Sequence, residues 1–344
     1  MNADEFHILF TVNVFNKRLR DRKSLHHDGF FQHGNKGDLM DRLHQRAASQ
    51  AAIHSYAGWW RCCLPLLLVI LLAWQSASAG VLPAGVTVRR NIAYGSDPQQ
   101  RFDLYLPPQA QDAPVLFMVH GGGWRRGDKA MAAAVDNKVA HWVPQGVILI
   151  SANYRMLSDA PPLEQARDVA RALATAQAQA ASWGGARGKF VLMGHSAGAH
   201  LVALLASTPS LLRNAGAAPV LGTIALDSAA YDIEKIMRAR HPRLYDQAFG
   251  ADPQEWAAAS PYRQLDGAIQ PMLAVCSARR KDACPQARHF AAKAESLGGR
   301  AQVLALDMSH RDINLLLGRK ADYTRQVDEF LRMLDPQLAS MLLP

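Results

Sequence analysis

Beyond residue 85 the chain alternates between short apolar runs and longer stretches with apolar residues at helical spacing. Val86–Ile92 and Arg101–Leu106 read as strands parted by the turn Gly95-Ser-Asp-Pro98. Val115–His120 and Val147–Asn153 are unbroken or nearly unbroken apolar runs, which predict strands covered on both faces. Phe190–Gly194, Thr223–Asp227, Met272–Cys276 and Gln302–Leu306 continue the series. Between them, helices are predicted at Met131–Trp142, from Pro161/Pro162 to about Ser182, at Ala197–Ser207, at Pro285–Leu297 and at Tyr323–Leu334. Residues from about 228 to 270 break this rhythm with polar segments, several tyrosines and Trp256. Strand–helix alternation of this kind predicts an α/β fold, a mostly parallel central sheet with helices on both faces, and the irregular stretch predicts a small cap-like insert.

The first 79 residues follow another pattern. Residues 1–60 are polar and His-rich with little periodicity. Arg61, the apolar core 62–74 and the small residues Ala77 and Ala79 then match a secretory signal peptide, with cleavage expected after Ala79. The apolar stretch is shorter than the ~20 residues that span a bilayer. A start assigned too early, with the true one at Met40 or later, accounts for the long preceding region; an uncleaved anchor with residues 1–61 cytoplasmic is the alternative. The expected division is thus a leader over 1–79 and one domain over 80–344, periplasmic or secreted, or inner-membrane anchored if the leader stays.

Composition narrows the choice of function. The chain of 344 residues is 49% hydrophobic and 19% charged, enough for a large buried core and too apolar for global disorder. Its net charge of +9 raises the question of nucleic acid, but Lys and Arg are scattered without interleaved aromatics, so no nucleic-acid partner is expected. Neither a zinc-type Cys/His spacing nor a Walker loop nor a G-x-G-x-x-G after a strand is present.

Three constellations carry chemistry. GHSAG at 194–198 sits between a predicted strand and a predicted helix, the context in which a sharp turn exposes Ser196 Oγ at the sheet edge as a nucleophile. His120-Gly-Gly-Gly-Trp-Arg-Arg-Gly-Asp-Lys129 follows another strand, and its successive glycines let N–H groups converge on one point, as an oxyanion requires. Gly122, Gly123 and Ala197 are the expected donors; His120 is expected to order the loop. His310, in a loop after the last strand, is the candidate base, ahead of His200, His241 and His289. Asp282 is the candidate acid that would orient it, with Asp307 and Asp266 as competitors. Trp124, His195 and Tyr231 are candidates to line a substrate pocket, and other insert aromatics pack on the sheet edge or face a substrate ring.

With HGGGWRRGDK at 120–129, SANYR at 151–155, MGHSAGAHL at 193–201, ARRKDACPQARHF at 278–290 and MSHRDINLLLG at 308–318, the chain resembles the α/β-hydrolase superfamily. In detail it resembles the esterase/lipase-like group that includes feruloyl-esterase-like (BD-FAE) proteins and arylformamidases, from about Val86 to Leu334. The resemblance implies a triad of Ser196, Asp282 and His310, no metal and no organic cofactor, and a small-molecule ester as substrate. A formamide substrate and a non-catalytic, membrane-anchored binding module are the alternatives. The loop Val275-Cys-Ser-Ala-Arg-Arg280 departs from the Gly-rich loop of the family. A Cys276–Cys284 disulfide would staple that loop and hold Asp282; two reduced thiols are the other reading. The oligomeric state stays open.

Overall fold

The computed structural model describes residues 82–342. The expected signal sequence lies outside them. Eight strands form one sheet in the order β1-β2-β4-β3-β5-β6-β7-β8. They are β1 Thr87–Ala93, β2 Arg101–Leu106, β3 Ala113–Val119, β4 Ile148–Ala152, β5 Gly185–His195, β6 Gly222–Leu226, β7 Met272–Ser277 and β8 Ala301–Leu306. β1 and β2 pair antiparallel, β2 joins β4 antiparallel, and every pairing from β4 to β8 is parallel. The fold is thus the expected α/β-hydrolase fold.

β3 shows why continuous apolar runs suit this position. All seven of its residues are buried. Val115, Phe117 and Val119 face one core cluster, while Leu116 and Met118 face the other. The period of two in a strand sends alternate side chains to opposite faces, so a strand with helices on both sides needs apolar residues at every position. The first cluster is closed by α2 (Pro162–Gln179) and α3 (Ala197–Ser207), through Ala166, Val169, Leu201 and Leu204. The second is closed by α1 (Ala132–Trp142) and by the late helix Ala321–Arg332, through Val135, Val139, Trp142, Tyr323, Val327 and Phe330. α2 opens on a proline in its first turn, where a missing N–H costs nothing.

Residues 228–270 form the expected insert. It holds four short helices, α5 Ile233–Met237, α6 Arg243–Phe249, α7 Pro253–Ala258 and α8 Pro261–Gln264, after α4 Pro209–Asn214. The remaining helices are α9 Ala283–Ser296, α10 His310–Leu315, α11 Ala321–Arg332 and α12 Pro336–Met341. α4, α10 and α12 go beyond the pattern expected from the sequence; each is a six-residue helix, too short to show periodicity.

The strand order positions the site. From β3 the chain moves outward to β4, then returns past β3 to form β5 on its other side. The loops that leave the carboxyl ends of β3 and β5 therefore diverge, and a crevice opens between them. Val119 pairs with Gly194, so the HGGG loop and the GHSAG turn leave the sheet side by side.

Candidate active site

Ser196 lies between the last residue of β5 and the first of α3, with φ 55° and ψ −115°. A non-glycine residue at positive φ is a strained conformation, stabilised only by its surroundings. Those surroundings are two tight backbone approaches. A Cβ on Gly194 would stand 2.3 Å from the carbonyl oxygen of Gly198, and one on Gly198 would stand 2.3 Å from that of Val119. Any side chain at either position would force the turn open, so the two glycines of G-x-S-x-G follow from sterics. The Ser196 N–H is tied to the Leu226 carbonyl at 2.9 Å, which locks the turn to the neighbouring strand.

His310 begins α10, and its Nε2 lies 3.0 Å from Ser196 Oγ. Ser309 caps that helix, its hydroxyl accepting from the Asp312 N–H. The His310 carbonyl is 3.0 Å from His195 Nε2, and the two rings lie 4.6 Å apart. Burial, together with the charge on His310, pushes the His195 pKa down to about 3. His195 therefore stays neutral and donates through Nε2, fixing the backbone that carries His310.

The carboxylate on His310 is that of Asp227, not Asp282. His310 Nδ1 lies 2.6 Å from Asp227 Oδ2. Asp227 is fully buried and leaves the end of β6 with φ 56°. Its other oxygen accepts the Ser277 N–H at 2.8 Å. Burial alone would raise its pKa; the hydrogen bonds from His310 and Ser277 and the cation of Arg280 outweigh that and hold it below the usual carboxylate range. Asp282 stands at the start of α9, exposed, and lines a separate pocket with Lys235, Tyr245 and His289. The physical reason is reach: a side chain leaving the end of β6 emerges one strand from Ser196, whereas Asp282 comes five residues after β7, on the outer side. Asp227 ends the apolar run Thr-Ile-Ala-Leu-Asp, and an acid at the carboxyl end of the strand next to the nucleophile's strand was the available signal.

The competing groups are engaged elsewhere. His200 is buried, accepting from Trp124 Nε1 at 3.1 Å and donating to the Ala259 carbonyl at 2.8 Å. His241 pairs with Asp246 and His289 stacks on Tyr262. Asp307 pairs with Arg279 on the surface, and Asp266 is exposed.

A cleft of about 730 Å³ opens over Ser196. The glycines of 121–123 form one wall, with Gly122 at φ 129° and Gly123 at φ 62°. Among the described residues no protein group accepts from the N–H of Gly122, Gly123 or Ala197. The Ala197 N–H heads α3, where the first turn leaves donors without partners in the helix. His120 orders the loop: it stacks on Tyr154 at 4.6 Å, and the Tyr154 hydroxyl donates to the His120 carbonyl. Lys129 is drawn away, paired with the buried Asp103 at 2.9 Å.

Of the three candidate pocket residues only His195 lines the cleft. Trp124 is packed against His200 and Phe249 in the core, and Tyr231 is fully buried against Phe290. The Trp124 indole N–H is held by His200 and its ring by Phe249, and the Tyr231 ring lies on Phe290, so neither side chain is left to line the cleft. Leu244 of α6 is the insert's contribution to the cleft. Cys276 and Cys284 are joined, with Cα atoms 5.2 Å apart. The bridge therefore closes the loop that follows β7, but the group that this loop brings to the site is Arg280. Its Nη1 lies 2.9 Å from Asp227 Oδ2 and 3.1 Å from His310 Nδ1.

The chain is similar to several known proteins. The family model described as BD-FAE matches residues 102–218. The probable isoprenylcysteine alpha-carbonyl methylesterase ICMEL2 of Arabidopsis thaliana is 33% identical over 115 residues, covering 33% of this chain and 26% of that protein. The probable carboxylic ester hydrolase LipM of Mycobacterium tuberculosis is 28% identical over 268 residues, covering 70% of this chain and 60% of that protein. The chain thus spans from about a quarter to 60% of the length of these relatives. The crystal structure of esterase B from Lactobacillus rhamnosis superimposes with a TM-score of 0.60 at 18% identity, covering 88% of this chain and 96% of that one, and so shares the fold. In its sheet, its crevice and these likenesses, the chain resembles the esterase-like proteins of the α/β-hydrolase superfamily.

Proposed function

We propose that the protein hydrolyses carboxylic esters through an acyl-enzyme formed on Ser196. The observation that carries this reading is the continuous relay Ser196 Oγ, His310 Nε2, His310 Nδ1, Asp227 Oδ2, with links of 3.0 and 2.6 Å. His310 takes the Ser196 proton as Oγ bonds to the ester carbonyl carbon. The carbonyl oxygen gains the negative charge and turns to the N–H groups of Gly122, Gly123 and Ala197. Asp227 holds the Nδ1–H tautomer and offsets the imidazolium charge. Collapse of the intermediate breaks the carbon–oxygen bond to the alcohol, which leaves with the proton from His310. Water then gives its proton to His310, attacks the acyl carbon and frees the acid, and the proton returns to Ser196.

The cleft also bears on the substrate. Arg125, Arg126 and Arg311 line it, against the single carboxylate of Asp128. Such walls favour esters that carry an anionic group beside the scissile bond. The disulfide supports a life in an oxidising compartment, in keeping with export directed by residues 1–79.

A fluorophosphonate probe tests the central reading: it should label the wild type and spare Ser196→Ala. Turnover of p-nitrophenyl butyrate against an N-formyl arylamine separates an esterase from a formamidase. Amino-terminal sequencing of the exported protein should begin at Gly80.

A further inference from the structure

We propose that Arg280 is a positioning residue that tunes the Asp227–His310 pair, and that the Cys276–Cys284 disulfide holds it there. The inference rests on the triad reading above.

Arg280 lies inside the short loop that the disulfide closes, between β7 and α9. Cys276 is fully buried in β7 and Cys284 is buried in the first turn of α9, so both ends of the loop are anchored. The Arg280 N–H is bonded to the Ser277 carbonyl, while the Ser277 hydroxyl donates to the Met308 carbonyl two residues before His310. The guanidinium then reaches back over the triad. Nη1 donates to Asp227 Oδ2 at 2.9 Å and to the Asp227 carbonyl at 3.0 Å. It also stands 3.1 Å from His310 Nδ1. With the Nδ1 proton pointed at Asp227, this last approach is a close contact of two donors, and it becomes a contact of two cations once His310 is protonated.

Two effects follow, and they have the same sign. The guanidinium repels the imidazolium directly. It also occupies part of Oδ2, which leaves Asp227 less charge with which to stabilise that imidazolium. Both act against positive charge on the imidazole, through contacts that the closed loop holds in place. The other groups that face His310 do not replace this cation. His195, from β5, stays neutral. Lys138 of α1 is buried and donates to both oxygens of Asn314 and to the Ala133 carbonyl, and Tyr323 of α11 donates to the Ile313 carbonyl. Arg311 and Asp312 lie on the helix of His310 itself, with Asp312 bonded to Ser309. Among the described residues Arg280 is the cation in contact with both members of the pair.

The test is the pH dependence of kcat/KM with p-nitrophenyl butyrate. In Arg280→Gln the acidic limb should move up by roughly 0.5–1 pH unit, the size expected for a partly exposed cation. Arg280→Lys should recover most of the shift, because the charge remains. In the Cys276→Ser/Cys284→Ser protein the limb should move the same way, and Arg280→Gln should then add less than it does in the disulfide-bonded protein. An unmoved limb in Arg280→Gln, with turnover intact, overturns the assignment of Arg280. A full additional shift in the disulfide-free protein overturns the role of the bridge. Loss of turnover in Arg280→Lys and Arg280→Gln alike, with no shift of the residual profile, points to a scaffold role and also overturns it. A wild type that neither turns over esters nor reacts with the fluorophosphonate overturns the triad reading itself.

Discussion

His310 Nδ1 lies 2.6 Å from Asp227 Oδ2, and Asp227 leaves the strand directly beside the one that ends at Ser196. The acid thus comes from β6, while the loop after β7 supplies a cation. Asp227→Asn should cut kcat by up to about 10⁴-fold, because the amide favours the wrong imidazole tautomer. Asp282→Asn should stay within about threefold of wild type, since that carboxylate is exposed and outside the cleft. Steady-state rates of the two variants side by side decide between the acids; the opposite ranking would return the role to Asp282.

The strained turn at Ser196 gives a stability prediction. Both Ser196→Ala and Ser196→Gly remove the hydroxyl and should abolish turnover. Alanine keeps the Cβ at φ 55°, whereas glycine accepts that conformation without penalty. Relief of strain of ~1–3 kcal/mol, less the ~0.5–1 kcal/mol that glycine gains in unfolded-chain freedom, should leave Ser196→Gly the more stable of the two. Thermal unfolding of the inactive pair measures this directly. Gly198→Ala, by contrast, should lose folded yield, as its Cβ meets the Val119 carbonyl at 2.3 Å.

The parallel strands are legible because a strand buried on both faces must be apolar throughout, as Val115–Val119 is, and the elbow is legible because the steric need for Gly194 and Gly198 is local. Ser196 and His310 share this quality: each follows a recognisable strand within a few residues. The acid does not. Asp227 and Asp282 both follow strands, and the choice between them depends on which strand end lies within reach of His310, a property of the sheet order. The aromatic rings of Trp124 and Tyr231 illustrate the same limit, since a ring in an irregular segment packs inward or outward according to neighbours far away in the chain. The tie between Arg280 and the triad was invisible for that reason, although the proximity of Cys276 and Cys284 marked the loop as one to be held.

Two buried histidines set an acid limit on stability. Burial pushes His195 down to about 3 and His200 down to about 4. In the unfolded chain both titrate near ~6.5. Between these values the unfolded chain binds protons that the native state refuses, so stability is lost as pH falls from about 6.5 toward 4, by up to ~1.4 kcal/mol per unit for each histidine. In His200→Gln this loss should be shallower, although the variant starts lower for want of its bonds to Trp124 and Ala259. Urea unfolding at pH 7.5, 5.5 and 4.5 compares the slopes. Parallel slopes in wild type and variant would show that His200 is protonated in the folded state.

The charge of the cleft makes the last prediction. Arg126 and Arg311 both line the cleft: one follows the glycine loop in the chain, the other follows His310. Among the described residues neither forms an ion pair, whereas Arg125 is engaged by Gln247. A half-ester such as mono-p-nitrophenyl glutarate should therefore be favoured over p-nitrophenyl butyrate more strongly at low ionic strength than at 0.5 M salt, a concentration that screens exposed charges within roughly 4–5 Å. Arg126→Gln/Arg311→Gln should lower kcat/KM for the anionic ester by about three- to tenfold and leave the neutral one near its original value, because each exposed pair contributes ~0.2–1 kcal/mol. Equal losses on both esters would mean that the guanidiniums shape the cleft without reading charge.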